Sequence, residues 1–498
     1  MFSFLVRKTA PKPLDCSAPI FFTNTQSGKR EAFAPLHKGE VSFYACGPTV
    51  YGKAHIGNMR THIMADSIAR TLAQAGLHVH RITNITDVGH LVADQETGED
   101  KMTLGAKREG TTPAEIAKRY TDMFIEDLEL LGVNTRSIRF PKATEYIEEQ
   151  IAMVKVLEKK GYTYQTSDGL YFDTAQFANY GRLGGHAPEA VIKQGSAASL
   201  KKRIHLAAVS RIGENTEKKS PADFALWRKA KRGDLQQWNS PWGFGNPGWH
   251  IECSAMIKAL LGDEIDIHAG GEDLVAIHHN NEIAQSESAN ERPLARFWIH
   301  GAFLSIQGDP ISKSLGNDIY VSDIVERGFH PLSLRYLFLT AHYRSPLSFS
   351  WESLEASNDA LHRLWRACEE IKHEAKGVAN GSDASRRALT IVREDLSTPQ
   401  AIAFLWSVLK DDTISAKDAF GVITVLDDVL GLSLLYPPVR FLPLADHEIP
   451  EEVKILVKNR EEARKSKNFV EADRFRIHIE ERGYRVEDSA SGPLVHKR

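Results

Sequence analysis

Cysteine is scarce in this chain, and its scarcity removes a class of folds. The four cysteines, at positions 16, 46, 253 and 368 of 498, lack the even, dense spacing of a secreted disulfide scaffold, so a reducing, cytoplasmic compartment is expected. Long apolar runs are missing too: no stretch of about 18 consecutive apolar residues occurs, which leaves no candidate membrane span. The opening "MFSFLVRKTAPKP" carries an apolar stretch shorter than a secretory core, with its basic residues after that stretch instead of before it, so no signal peptide is expected. Nor is there an excess of one charge. Lys+Arg 62 against Asp+Glu 65 leaves a formal net charge of −3, and nothing in that total demands nucleic acid as a partner. Internal repeats and low-complexity tracts are also absent. What is present is length, and a chain this long predicts about two to four domains.

The patterning suggests how those domains are arranged. "VSFYACG" (41–47) reads as a short buried strand, "HIGNMRTHIMADSIARTLAQAG" (55–76) as a helix with Ile63, Ile68 and Leu72 near helical spacing, and "HVHRITNITDVG" (78–89) as a second strand. Strand, helix, strand predicts a parallel βαβ unit whose ligands bind beyond the carboxyl ends of the strands. Residues 115–160 read as helical. Between 162 and 245 the chain turns polar and loop-rich around strand-like "TYQTSDGLYFDT", as an inserted subdomain would. From 248 to 305 α/β patterning returns, with "EIDIHAGGEDL" as strand and turn and "IHHNNEIAQSESA" as helix. Beyond about 350, "WESLEASNDALHRLWRACEEI", "TPQAIAFLWSVLKD" and "KDAFGVITVLDDVLGL" each present an apolar face, predicting a helix bundle. A Pro-rich linker and a small terminal unit over 451–498 close the chain.

Two segments suggest phosphate chemistry. "HIGN" (55–58) at a helix start would offer unpaired backbone N–H groups and the positive dipole end to an anion. Gly57 there leaves room for a flat adenine, and His55 and Asn58 could donate to phosphate oxygens. "PISKSLGN" (310–317) places Lys313 on a Ser/Gly-flanked loop, where it could neutralise charge on a departing pyrophosphate. Alone, the first is an ordinary helix start and the second a solvated loop; the pair is stronger than either. Cys46, Cys253 and the i,i+4 pair His278 and Glu282 offer two thiolates, an imidazole and a carboxylate, a set that suits tetrahedral zinc. The residues alone leave that open, because a buried free cysteine is usually a small hydrophobe and the spacing is not CxxC.

Taken together, "YACGPTVYGKAHIGN", "RITNITDV", "GNPGWHIECSAM", "HHNNEIAQS" and "ISKSLGN" resemble the class I cysteinyl-tRNA synthetases, in order and at similar separations, over about 19–492. HIGN looks like that family's HIGH motif and PISKS like its KMSKS motif. The resemblance implies a split Rossmann-like α/β fold: a catalytic domain in two halves (1–135 and 246–294) around a connective insert (136–245). A stem-contact region with the SKS loop (295–352), an anticodon-arm bundle (353–440) and a small C-terminal α/β unit (448–498) would follow. It implies one zinc held by Cys46, Cys253, His278 and Glu282, with the substrate thiolate binding the metal. It further implies Thr86 and Trp249 lining the cysteine pocket, Asp273 orienting the substrate, and ATP with Mg²⁺ at His55, Gly57, Asn58 and Lys313. Cysteine would be activated to its adenylate and passed to the terminal ribose of tRNA(Cys) by a cytoplasmic monomer that does not engage membranes.

Some positions depart from the family pattern. Pro310 stands where KMSKS has its first lysine, and Asn280 where an acidic residue usually neighbours the metal-binding histidine; the segment 192–219 is longer than usual. The terminal 451–498, with 12 Lys/Arg and 10 Asp/Glu, would have to contact RNA through arrangement, for example by Arg464, Lys465 and Lys467. Its "REEARKSKNFVEADRFRIHIEERGYRVEDSASG" resembles the family's terminal pattern. An alternative is a related ligase that passes activated cysteine to an amino sugar, but such ligases lack the anticodon-reading terminus. A second is a zinc-dependent RNA-binding protein that has lost activation, for which a pyrophosphate lysine would have no purpose.

Overall fold

The computed structural model describes residues 18–89, 101–184, 217–231, 233–311, 316–375, 377, 381–438, 444, 446–489 and 492–497. A hairpin of β1 (Phe21–Asn24) and β2 (Lys29–Ala32) leads into β3 (Glu40–Ala45). Helix α1 (Ile56–Gln74) follows, and β4 (His78–Thr83) lies parallel to β3. The expected strand over 78–89 is therefore shorter. It stops at Thr83 because the Asn84 side chain turns to accept the Gly47 N–H at 2.8 Å. The helical stretch expected over 115–160 is also interrupted. Helix α2 (Lys101–Glu109) ends at Gly110, which adopts φ +64°, and α3 (Pro113–Leu130) at Gly132, which adopts φ +78°; a short strand β5 (Ile138–Arg139) then joins the edge of β4 before α4 (Ile147–Lys159).

The insert forms a four-stranded antiparallel sheet of its own: β6 (Thr163–Gln165), β7 (Gly169–Phe172), β8 (Phe224–Lys229) and β9 (Gly245–Pro247). The segment 192–219 noted in the sequence falls mostly outside the described residues. After the insert, α5 (Trp249–Leu261), β10 (Ile265–Gly271), α6 (His278–Asn290) and β11 (Ala295–Gly301) complete the main sheet. Its order is β11-β10-β3-β4-β5, with every pair parallel. Read by appearance along the chain this is the doubly wound order 3-2-1-4-5, so the strand sequence reverses between β3 and β10, where such sheets open a crevice at their carboxyl ends. Strands β10 and β11 are buried almost throughout, as parallel strands covered on both faces must be.

A small sheet of β12 (Leu304–Ile306), β13 (Asp309–Pro310) and β14 (Leu347–Phe349), with helices α7 (Val321–Glu326) and α8 (Pro331–Leu339), connects this domain to the bundle. The bundle consists of α9 (Trp351–Ala375), α10 (Asp383–Arg393), α11 (Thr398–Leu409) and α12 (Ala416–Leu430). Trp365 at its centre is fully buried and donates its indole N–H to the Leu432 carbonyl at 2.8 Å, so the large apolar ring enters the core without an unmet donor. Helices α13 (Glu451–Lys465) and α14 (Phe469–Glu481) pack with the hairpin β15 (Tyr484–Ser489) and β16 (Gly492–Lys497) around Val453, Val457, Ile479, Val486 and Val495. Among the described residues no helix is long and apolar enough to cross a membrane.

One buried charge cluster joins the sheet domain to the bundle. Asp66 on α1 accepts from Arg70 at 2.6 Å and from Arg335 of α8 at 2.7 Å, and faces Arg81 of β4 at 3.4 Å. Arg335 also donates to the Leu430 and Leu131 carbonyls, at the ends of α12 and α3. Burial alone would raise the Asp66 carboxyl, but Arg70, Arg335 and Arg81 together hold it well below its ordinary value of 3.8. Asp66→Asn should therefore cost about 3–5 kcal/mol, since buried guanidiniums would lose their countercharge. Because folding depresses this carboxyl, its stabilisation is complete above pH 3.8 and is lost progressively below it. In urea unfolding the variant should show a lower midpoint near neutrality and a shallower further loss in acid; equal midpoints with parallel acid slopes would remove Asp66 from this role.

Candidate active site

Four potential metal donors meet at the crevice where the strand order reverses. Cys46 follows the last residue of β3 and its N–H donates to the Ala269 carbonyl of β10 at 3.0 Å. Cys253 sits on the buried face of α5, and His278 and Glu282 share a face of α6. One ligand atom from each of the four lies within 4.8 Å of the others. Cys253, His278 and Glu282 are buried and Cys46 is half-buried. His278 Nε2 stands 2.9 Å from Glu282 Oε1, and Cys46 Sγ 3.9 Å from the same oxygen. The Cys253 thiol is drawn down to about 7, first by the Cys46 hydrogen bond and, against burial, by His278. Burial would raise Glu282, yet His268 and His278 hold its carboxyl at about 2. The protein thus gathers sulfur and carboxylate donors into a place where an unpaired anion would be costly, which favours a cation among them.

Six side chains that sequence reasoning missed surround this set. His268 Nε2 contacts Glu282 Oε2 at 2.9 Å, and His279 Nε2 lies 3.3 Å from Cys46 Sγ, so Cys46, His268, His279 and Glu282 form a second, overlapping donor group. His279 continues through His300 at 2.7 Å to the Thr25 hydroxyl at 2.8 Å, while His250 Nδ1 contacts His278 Nδ1 at 2.8 Å. Burial, then His268, pushes the His300 imidazole down to about 3, so the outer end of this chain is neutral. Glu252, beside Cys253, is raised by burial and by Asp87 and accepts from the Thr86 hydroxyl at 3.1 Å. A signal for His268 and His300 did exist: each is a histidine inside a strand buried on both faces, where a polar ring requires partners.

The three expected substrate residues take different places. Trp249 lies over the metal-donor histidine, with ring centroids 4.5 Å apart at 35°. Thr86 is buried and turned toward Glu252, and accepts from the Asn84 amide at 3.1 Å. Asp273 is exposed just past β10, close enough for its charge to act on the Cys46 thiol. Asn280, which stands where the family pattern has an acidic residue, turns its side chain to the backbone. Its amide donates to the Val275 carbonyl at 2.8 Å and its oxygen accepts the Leu183 N–H at 3.2 Å, while it is His268 that contacts the outer oxygen of Glu282.

At the start of α1, His55 and Asn58 form a reciprocal capping box. Asn58 N–H donates to His55 Nδ1 at 3.3 Å, and His55 N–H donates to Asn58 Oδ1 at 3.1 Å. An accepting Nδ1 leaves the proton of a neutral ring on Nε2, so His55 presents a donor away from the helix, as does the amide NH₂ of Asn58. A Cβ on Gly57 would come within 3.0 Å of the His55 ring and 3.1 Å of Ile311, so glycine keeps that ring in place. Lys313 lies outside the described residues. The chain on either side of it nonetheless returns to this turn: Ile311 touches Gly57, and the Ile319 carbonyl accepts the Ile56 N–H at 2.9 Å.

A family model described as "tRNA synthetases class I (C) catalytic domain" matches residues 32–359. A cysteine–tRNA ligase of Burkholderia lata is 42% identical over 482 residues, covering 95% of this chain and 96% of its own, and one of Chlorobium chlorochromatii is 37% identical over 95% and 98%. Among solved structures, Mycobacterium tuberculosis methionyl-tRNA synthetase with methionyl-adenylate has a TM-score of 0.53 at 16% identity, over 80% of this chain and 91% of its own. The LeuRS–tRNA–LeuAMS ternary complex of Agrobacterium radiobacter has 0.55 at 13%, over 82% and 86%. At such identity these two speak for the fold alone. The family model and the full-length relatives together go further: the chain belongs to the class I cysteinyl-tRNA synthetases.

Proposed function

We propose that the protein activates L-cysteine with ATP and transfers it to the 3′-terminal ribose of tRNA(Cys). The observation that carries this reading is the convergence of Cys46, Cys253, His278 and Glu282 within 4.8 Å at the crevice of the parallel sheet. Two sulfurs, an imidazole and a carboxylate fit zinc by donor type, and these four residues would hold it. Bound there, zinc supplies a soft acceptor for a thiolate and a poor one for a neutral hydroxyl. The chain's own residues do the remaining work. Trp249 closes one side of the amino-acid pocket, Thr86 and Glu252 brace its floor by their hydrogen bond, and Asp273 stands at its mouth, where a carboxylate can receive the substrate ammonium. The cysteine carboxylate attacks the α-phosphorus of ATP, the bond to the bridging oxygen breaks, and pyrophosphate leaves with Mg²⁺. His55 Nε2–H and the Asn58 amide donate to phosphate oxygens, and Lys313 neutralises the leaving charge. The ribose hydroxyl then attacks the carbonyl carbon of the adenylate and AMP departs, with positioning sufficient for both steps.

We assign 1–135 and 246–294 to the two halves of the catalytic domain, 136–245 to the connective insert, 295–352 to stem contact, and 353–440 with 448–498 to the anticodon arm. Arg464 is paired with Asp488 at 3.0 Å, so RNA contact in the terminal unit would fall more to Lys465 and Lys467. We further assign the enzyme to the cytoplasm as a monomer. Relatives named as cysteine–tRNA ligases match 95% of this chain, which does not favour transfer to an amino sugar.

The direct test is charging of tRNA by the purified protein with ATP, Mg²⁺ and labelled cysteine, with serine run beside it. Cysteine alone should be incorporated; charging with serine at a comparable rate would defeat the account of selectivity, and adenylate without charged tRNA would defeat the assignment of the acceptor. Cys253→Ser should lose bound zinc and cysteine activation together, and unchanged metal content would remove Cys253 from the site. Lys313→Ala should slow adenylate formation by about 10²–10³-fold, the effect of deleting one transition-state donor, with metal content unaltered. An undiminished rate would place the pyrophosphate cation elsewhere.

A further inference from the structure

The amino-terminal end of the same sheet carries a third group of metal-ligating side chains, unrelated to the crevice. Glu40 opens β3, and His78 and His80 stand at the first and third positions of β4. Glu40 and His78 are direct partners in the parallel register, and His80 lies two residues on, on the same face of its strand. The glutamate Oε2 lies 2.9 Å from His78 Nδ1 and 2.5 Å from His80 Nε2, and the imidazole centroids are 4.5 Å apart. One ligand atom from each residue falls within 4.8 Å of the others. All three side chains are about half exposed or more, at 49%, 69% and 51%. Glu40 is separated from Cys46 by six residues of extended chain, roughly 20 Å at about 3.3 Å per residue.

We propose that Glu40, His78 and His80 form a second, peripheral binding site for a divalent transition ion such as zinc. The bland alternative is a surface hydrogen-bonded cluster, and three features argue against it. A single carboxylate oxygen is shared by two imidazoles, which gathers one ligand atom from each of the three residues within 4.8 Å of the others. The backbone holds that convergence in place: the His78 N–H donates to the Gly39 carbonyl at 2.8 Å and the Glu40 N–H to the His37 carbonyl at 3.0 Å, so little further ordering is required. All three side chains are also half exposed or nearly so, and an ion in solution can reach them without any rearrangement of the sheet. Two imidazoles with one carboxylate suit zinc, nickel or copper, whereas calcium and magnesium take oxygen sets. Exposure leaves the remaining coordination positions to water, so the ion is exchangeable. Bound, it ties the first residues of β3 and β4 together at the end of the sheet remote from the crevice.

The test compares the full-length protein with His78→Gln/His80→Gln, both equilibrated by dialysis against the same micromolar Zn²⁺ and assayed for metal by mass spectrometry. The variant should carry one equivalent less zinc and charge tRNA at the wild-type rate. The count is a difference between two proteins, so it does not depend on how the Cys46 group is occupied. Added Ni²⁺ should raise the melting temperature of the wild type and leave that of the variant unmoved, by linkage of binding to folding. Glu40→Gln, which keeps both imidazoles, should bind the extra equivalent more weakly than wild type. Equal zinc content in wild type and the double variant would overturn the site.

Discussion

Two close approaches of backbone to backbone set the positions of both sulfurs on which the site depends. At the end of β3 a Cβ on Gly47 would lie 1.6 Å from the Asn84 carbonyl oxygen, and at the start of α5 a Cβ on Gly248 would lie 1.9 Å from that of Ala225. Neither contact admits any other residue without moving a strand. The first brings the loop after β3 against the loop after β4, so that Cys46 leaves the sheet beside Ala269 and Asn84 can accept the Gly47 N–H. The second seats α5 directly on β8 of the insert, which aims Cys253 at the same point. The inserted sheet is therefore more than a decoration on the catalytic domain, because it fixes the helix that supplies one thiol.

Once both sulfurs are placed, electrostatics governs what surrounds them. Glu282 is fully buried and stays ionised because His268 and His278 contact its two oxygens separately. His278 is steadied from behind by His250, and His279 by His300 and Thr25. Each ring thereby has a preferred orientation before any ion or substrate arrives, the arrangement by which outer contacts tune a metal site. The chain from Cys46 to Thr25 also runs across β10 and β11 to the first hairpin, so the geometry of the crevice depends on residues near the start of the described chain.

Much of this was legible in the sequence, for physical reasons that differ from residue to residue. His278 and Glu282 could be paired because helical spacing fixes i and i+4 on one face, and HIGN could be placed because helix starts have a vocabulary. The parallel sheet followed from buried runs alternating with amphipathic ones. Cys46 and Cys253 could be grouped by donor chemistry, but the residues alone left the grouping open until the family resemblance, since 207 residues and an inserted sheet separate them and no local pattern spans such a distance. His268, His279 and His300 escaped because their roles are set by long-range contacts between β10, α6 and β11. Asn280 stands close to His278 and His279 in sequence, but on a helix the next residue but one points away, and its amide serves the turn before α6.

The division between Trp249 and the donor group also explains where selectivity must reside. Cysteine and serine differ by one atom of nearly equal size, and an apolar wall separates such isosteres by only about 10²-fold. In the proposed pocket Trp249 would present such a wall and would accept either side chain. The donor group beside it is sulfur, imidazole and carboxylate, and a soft cation held there would distinguish a thiol that ionises near neutrality from a hydroxyl that does not. Discrimination therefore depends on the cation being held rigidly and out of bulk water, which the burial of Cys253, His278 and Glu282 provides. The exposed Glu40, His78 and His80 group has donors of related chemistry but no enclosing wall, so any ion there stays open to water and cannot choose between two amino acids. Burial, more than the donor list, is what would turn a metal-binding cluster of this fold into a device for recognising one side chain.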